Sequence, residues 1–510
     1  MNKRPNILWI TSDQQHWNTI GKYFSEIKTP NLDRLADQGF FAHRAYCTNP
    51  TCTPTRASLL TGQYASRHGA WSLGTKLPED SLTVSQLLSE SGYDSALIGK
   101  AHFQQLRSTP EHSSIESHPL LRDLDYWKNF HGPWYGFDHI ELARNHADEA
   151  HAGQHYALWM EEKGLKNWKD YFQNRWEEFD YSDGRPDVKR EHSWDLPEEF
   201  HTDAWITERS LERIRKNKDE GKPFFLWASY FDPHPPYLVP EPWASMYDPD
   251  QLTIPELVPG EHENNPPHFR KTQEENPDFS GWVETEHGNH GCCSHLHDRK
   301  KLTKDIAIYY GMVSMMDHYI GKLLDGLEEM GLADNTLVVF TTDHGHYYGH
   351  HGLDAKGPFH YEDGIRVPFI VRWPDRIPAG VESNALQSLV DVPVATLKAA
   401  GVEVPGLMQG RNQLPVWCGE QDFARKNVII EHRHQPTAIH MKTVVNERYK
   451  LTVYFERDYG ELFDLQADPQ ELNNLWDDPD CQGLKADLTR QLLFAEMAAE
   501  PMPMPRVAIA

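Results

Sequence analysis

The chain of 510 residues is 39% hydrophobic and carries 16 Trp, 21 Tyr and 21 Phe, enough apolar material for a large core. Its formal charge of -26 argues against nucleic acid and anionic membrane surfaces as partners, and an anionic substrate then needs a local basic cluster. Length alone gives roughly three domains, although single α/β enzyme cores often exceed that spacing. The first residues, MNKRPNILWITSDQQ, are basic, but their apolar run ends at Thr11. That is too short for a signal-peptide core, no small-residue cleavage site follows, and no later segment reaches the length of a membrane span. A cytoplasmic protein is expected. Cysteines at 47, 52, 292, 293, 418 and 481 show no disulfide-framework spacing.

In chain order, NILWIT (6–11) is the first apolar, β-rich run, followed at once by Ser12-Asp13-Gln14-Gln15. TPNLDRLADQG has helical spacing, and Cys52-Thr53-Pro54-Thr55-Arg56 leads into ASLLTG. Here Thr53 is expected to cap a helix and Pro54 to take its first position. SLTVSQLLSESG is helical, and DSALIG (94–99) is a strand ending in Lys100-Ala101-His102. Residues 103–200 are rich in His, Trp and charge with few strand signals (Trp127, Trp134, Trp159, Trp168, Trp176, Trp194). The helix DAWITERSLERIRKN precedes the strand FFLWAS (224–229), which runs into Tyr230-Phe231-Asp232-Pro233-His234-Pro235-Pro236. Residues 233–300 are rich in Pro, Asn, Glu and His. Both irregular regions read as insertions over the active edge that shape a substrate pocket. A long helix, IAIYYGMVSMMDHYIGKLLDGLEEMG, leads to the strand TLVVFT (336–341) and Thr342-Asp343-His344-Gly345-His346.

The catalytic unit is expected to span 1–405 and a smaller C-terminal unit 406–510. In the latter, NVIIEH, HMKTVVN, YKLTVYF and GELFDL read as an antiparallel sheet, followed by a helix at 483–499. The Pro-rich tail PMPMPRVAIA is expected to strap onto a partner subunit of a homo-oligomer. Unbroken apolar strands are buried on both faces, and their alternation with helices predicts an α/β fold with a large, mostly parallel sheet flanked by helices. Ligands in such sheets bind outside the carboxyl ends of the strands. Four strands deliver ionisable residues to that edge, which predicts one shared site.

On its own, Cys52 reads as a buried core cysteine or as a thiol nucleophile with a histidine base. With S-L-L-T-G behind it and the partners below, however, C-T-P-T-R resembles the C-x-P-x-R signature of type I sulfatases, members of the alkaline phosphatase superfamily. The resemblance covers 5–110, 203–240, 305–375 and GELFDLQADPQELNNLW. It implies an alkaline phosphatase-like sandwich, oxidation of Cys52 to formylglycine by a formylglycine-generating enzyme, and a geminal diol as nucleophile. It also implies one divalent metal ion held by Asp13, Gln14, Asp343, His344 and the oxygen at position 52. Many sulfatases have a second Asp at the position of Gln14, and the D-H-G form here replaces D-N-G. Together these changes lower the negative charge of the site and add nitrogen; oxygen-only sites favour Ca²⁺ or Mg²⁺, one imidazole admits Mn²⁺ or Zn²⁺, and Ca²⁺ is expected with Mn²⁺ close behind because of His344.

Further roles follow from matching motifs. Lys100 and His102 match G-K-x-H, whose i, i+2 spacing in extended chain puts both side chains on one side. Lys100 would bind a sulfuryl oxygen, and His102 would take the diol proton when the sulfated intermediate collapses. His234 matches P-H-x-P and would protonate the leaving alcohol. Lys356, ahead of Y-E-D-G-I-R-V-P, would stabilise the leaving group's charge, and Arg56 would orient the diol. The implied activity is hydrolysis of a small sulfate ester of the arylsulfatase type, with promiscuity across ester types. The alternative is a phosphonate monoester hydrolase or phosphodiesterase on the same scaffold; those relatives share the Asp-Gln and Asp-His ligands but tend to lack the Lys-x-His pair. A non-catalytic binding protein would require missing groups, and none is missing. The His/Cys-rich stretch 286–298 fits no zinc spacing, because adjacent cysteines chelate one metal poorly.

Overall fold

A computed structural model describes residues 4–144, 152–172, 193–284, 298–435, 437–504 and 506–507. Its strands in chain order are β1 (Asn6–Ser12), β2 (Phe40–Ala42), β3 (Ala45–Tyr46), β4 (Asp94–Gly99) and β5 (His139–Leu142). Then come β6 (Phe224–Ser229), β7 (Thr336–Thr342), β8 (Arg366–Val367), β9 (Phe369–Arg372), β10 (Val381–Ser383) and β11 (Gln387–Ser388). The C-terminal strands are β12 (Val428–Gln435), β13 (Ile439–Val445), β14 (Tyr449–Tyr454) and β15 (Gly460–Asp464). Eight strands form the main sheet in the order β10-β2-β9-β7-β1-β6-β4-β5. All its neighbours run parallel except β9, which is antiparallel to both β2 and β7. The last four strands make an antiparallel sheet, backed by the helix Gln482–Ala498.

Alternate residues of β1 show why the apolar runs are unbroken. Ile7 and Trp9 enter one core with Phe225, Trp227, Leu59 and Leu60. Leu8 and Ile10 enter the opposite one with Leu226, Ile206 and Met316. Helices therefore cover both faces, Cys52–Thr61 on the first and Thr202–Glu220 with Arg299–Glu329 on the second. The first core continues through Trp417, Val428, Ile430 and Val445, so the C-terminal sheet packs into the same interior.

The register aligns the strand ends. Ser12 pairs with Thr342, Thr11 with Ser229, and Gly99 with Ser229 on the other side. Asp13, Asp343, Lys100 and Tyr230 therefore leave the sheet at one level. Gly99 has φ +112°, and a side chain there would run into the Ser229 carbonyl; this close approach lets the Lys100 N–H donate to Ser229 O at 3.0 Å.

The stretch 103–200 is more than a loop over the edge. It supplies β5, parallel to β4, and the helix Gln154–Glu162. Trp127, Trp159, Trp168 and Trp194 are buried in the two cores. The short strand was invisible because HIEL alternates half-buried and buried positions instead of forming an apolar run. Residues 286–297, with Cys292 and Cys293, and Trp176 lie outside the described residues. No helix among the described residues is long and apolar enough to cross a membrane.

Candidate active site

Cys52 is the first residue of the helix Cys52–Thr61, so the cap is Thr51, two residues earlier than the expected Thr53. The Thr51 backbone begins the helix, and Thr55 N–H donates to Thr51 O. Pro54 falls in the first turn, where its missing N–H would have had no intrahelical acceptor. The helix is buried on every side and ends at Gly62, with φ +66°. Cys52 thus presents Sγ at the positive end of a buried dipole.

Four groups surround that sulfur. Lys356 Nζ lies 2.9 Å away and His344 Nε2 3.2 Å. Asp13 Oδ1 lies at 3.8 Å and Lys100 Nζ at 3.9 Å. Burial pushes the thiol up to about 11, with the two ammonium groups pulling it back and the carboxylates adding to the rise. A thiol held this high fits poorly with the alternative reading of Cys52 as a thiol nucleophile with a histidine base.

The carboxylates are locked by basic groups. Lys100 Nζ contacts Asp13 Oδ2, and Arg56 Nε donates to Asp343 Oδ2 at 2.8 Å. One Arg56 terminal nitrogen is 3.6 Å from Asp13, and the other donates to Lys100 O at 3.1 Å and to Ser229 Oγ at 2.9 Å. Arg56 thus holds the carboxylates, where the sequence placed it on the nucleophile. Ser229, the last residue of β6, had no sequence signal beyond its position. Burial opposes ionisation of both acids, yet Lys100 and Arg56 hold Asp13 well below the ordinary carboxylate range. Asp343, pushed up by burial and by Asp13, is drawn net downward by His344, Arg56 and Lys100.

The three histidines differ in attachment. His344 Nδ1 donates to Gly345 O at 2.9 Å, and burial lowers the ring's pKa to about 4. His234 Nδ1 donates to Pro235 O at 2.5 Å, which leaves Nε2 as the acceptor of Lys356 Nζ at 2.9 Å. Burial first, then Lys356 and Lys100, hold His234 well below the usual imidazole range. His102 is shifted the same way by burial, Lys100, Lys356 and Arg56. Neither of its ring nitrogens has a hydrogen-bond partner among the described residues. Its φ of +55° is left-handed, so the Lys100–His102 segment is not the extended chain that the spacing suggested.

The donor set fits a divalent cation. Ligand atoms of Asp13, Cys52, Asp343 and His344 lie within 4.8 Å of one another. Beside them, Gln14 is fully buried, has φ +58°, and leaves both side-chain polar atoms without a partner. A buried amide with no hydrogen bond costs free energy that a cation at its oxygen would recover. Its main chain is fixed instead, with N–H donating to Asp343 Oδ1 at 3.0 Å and O accepting from Tyr309. Elsewhere among the described residues, His16, His350 and Asp363 are tied to one another. His201, Asp203 and Asp232 form a further buried group.

The chain matches the Sulfatase family over residues 5–402 and the family described as N-sulphoglucosamine sulphohydrolase, C-terminal, over 349–498. It belongs to the sulfatase family. Its relatives include an arylsulfatase of Clostridium perfringens, 28% identical over 97% of this chain and 94% of that protein. An N-acetylglucosamine-6-O-sulfatase of Bacteroides thetaiotaomicron is 28% identical, covering 93% and 83%. Among solved structures, a phosphonate monoester hydrolase of Silicibacter pomeroyi shares the fold with a TM-score of 0.77 at 24% identity, covering 98% of this chain and 96% of that one.

Proposed function

We propose that the protein hydrolyses a sulfate monoester after a formylglycine-generating enzyme has oxidised Cys52, with one divalent ion held by Asp13, Gln14, Asp343 and His344. The observation that carries the reading is the convergence on Cys52 Sγ of Lys356, His344, Asp13 and Lys100 within 4 Å, in a chain with the sulfatase signature. Formylglycine supplies a diol nucleophile, and the ion, Ca²⁺ by preference and Mn²⁺ otherwise, supplies a Lewis acid for a sulfuryl oxygen. Lys100 and Lys356 provide the positive charge that an anionic ester needs inside an acidic protein. Arg56 is a positioning residue, holding both carboxylates and the Lys100 carbonyl. The Lys356–His234 pair protonates the departing alcohol. In the resting arrangement the proton between them sits on Lys356 Nζ, because His234 Nε2 accepts it. His102, neutral and with a ring nitrogen available, accepts a proton once the alcohol has gone.

A second reading, phosphonate monoester or phosphodiester hydrolysis, is favoured by Gln14 and His344, the two departures from the commoner sulfatase ligands. Assay of the purified, formylglycine-containing enzyme against aryl, alkyl and sugar sulfates beside phosphodiesters separates the two. The proposal expects the higher kcat/KM on a sulfate ester and loss of both activities in Cys52→Ala. A higher kcat/KM on phosphodiesters would establish the second reading instead.

A further inference from the structure

His102 raises a placement problem. A general base must be held within hydrogen-bond reach of its proton, and most catalytic imidazoles are oriented by a partner on the second nitrogen. His102 is 96% buried by area, yet neither ring nitrogen has a hydrogen-bond partner among the described residues. Besides the packing around it, its direction is set by the backbone, and that backbone is in the left-handed region, which a non-glycine residue occupies only when its surroundings impose it.

One side chain imposes it. The Glu116 carboxylate accepts three consecutive main-chain N–H groups: His102 at 2.6 Å to Oε1, and Phe103 at 2.9 Å and Gln104 at 2.8 Å to Oε2. Successive N–H groups around a left-handed residue form a concave anion site, and here the anion is the protein's own. The clamp is closed from the other side. Gln104 Oε1 accepts from Ile115 N–H at 2.9 Å, while Gln104 Nε2 donates to Glu79 Oε1 at 2.9 Å. The Glu116 main chain is itself fixed, its N–H donating to Ser114 Oγ at 3.1 Å. Glu116 is buried, and that burial raises its pKa to about 7, against the three main-chain N–H groups and the charge of Arg144, which favour the carboxylate.

We propose that Glu116 is the positioning residue of His102: its carboxylate gathers the 102–104 turn and thereby presents the imidazole to the reacting group at position 52. This rests on the role given to His102 above and adds a residue outside the candidate metal ligands. It gives part of the irregular insertion a defined task, since residues 105–115 form a loop whose two ends the clamp joins. A carboxylate is required because its two oxygens serve three donors at once. The amide of Gln offers one oxygen, and its NH₂ would face an N–H.

A double-mutant cycle tests it, with kcat for an alkyl sulfate and a nitrophenyl sulfate measured in wild type, Glu116→Ala, His102→Ala and the double variant. Bound metal and thermal unfolding are followed in each. Misplacing a catalytic group by about 1 Å costs ~10²-fold, so Glu116→Ala should lower kcat by that factor with metal content unchanged. In the His102→Ala background the same change should cost no more than about 2-fold, because the group it positions is gone. Glu116→Gln, which keeps the volume, should fall between Glu116→Ala and wild type, and it carries the cycle if Glu116→Ala does not fold. Equal losses in both backgrounds, or a wild-type kcat in Glu116→Gln and Glu116→Ala, would overturn the assignment. A wild-type rate in His102→Ala would remove both the role of His102 and the clamp's purpose. A slow His102→Ala with an additive cycle would remove the clamp alone.

Discussion

The strand ends and the 103–200 insertion both reach the site, but they hold their residues by different means. At the strand ends, side chains hold side chains: Asp13 contacts Lys100 and Arg56, and Asp343 contacts Arg56 and the Gln14 N–H. These contacts follow from the aligned register of β7, β1, β6 and β4. In the insertion, a side chain holds backbone, and the His102 ring nitrogens have no hydrogen-bond partner among the described residues. The strand-end network is a charged lattice whose parts fail together. The insertion's contribution is a hydrogen-bonded clamp on the main chain.

Breaking the lattice should give the largest effect. Asp13→Ala and Asp343→Ala should each lose metal and activity together, as elemental analysis and turnover will show. Removing one partner of a buried charged set costs ~3–5 kcal/mol, so the urea midpoint should drop as well. Full metal occupancy in both variants would refute the ligand assignment.

The two histidines sharpen the comparison at the next level. His234→Ala should slow alkyl sulfates more than nitrophenyl sulfates, whose anion leaves without a proton, by a difference within the ~10²–10⁴-fold span of general acid catalysis. His102→Ala should slow both towards one common kcat, since its step follows departure of the alcohol. The opposite pattern, a steeper leaving-group dependence in His102→Ala and a flat one in His234→Ala, would exchange the two roles.

A smaller effect marks the second insertion, 233–300. His351 lies between Glu261 of that insertion, at 3.1 Å, and Asp363 of the core, at 3.5 Å. Burial disfavours its charge, but Asp363 and Glu261 raise its pKa from 6.5 to about 9. A raised pKa in the folded state gives stability that is complete below about 6.5 and fades as pH rises through about 9. Urea midpoints across that window should decline in wild type and stay flatter in His351→Gln. Parallel curves would show that the pair contributes nothing.

The strand-borne part of the site was legible because each apolar run passes directly into its functional residues. Adjacency in sequence becomes adjacency in space once the strands are parallel. The C-terminal sheet was legible for a similar reason, its four short strands being separated by turns. Illegible were contacts with no period or spacing behind them. Glu116 is one glutamate in an irregular, polar stretch, and nothing local shows that three N–H groups 12 to 14 positions earlier will meet it. The start of the Cys52 helix was misread because proline suits any position of the first turn. The grip of Arg56 on Asp343 and Asp13 was illegible because its motif places it near the nucleophile without showing which other neighbours it holds.

The central claim is that the reacting group at position 52 is formylglycine and that the cysteine thiol is its precursor. The burial that pushes the thiol up to about 11 makes the unmodified residue a poor nucleophile at neutral pH. Peptide mass spectrometry of protein made with and without a maturation system, paired with sulfatase assays of the same samples, tests this directly. The account predicts an aldehyde-bearing Cys52 peptide whose fraction tracks specific activity across preparations. Fully active enzyme containing only the unmodified thiol would contradict it.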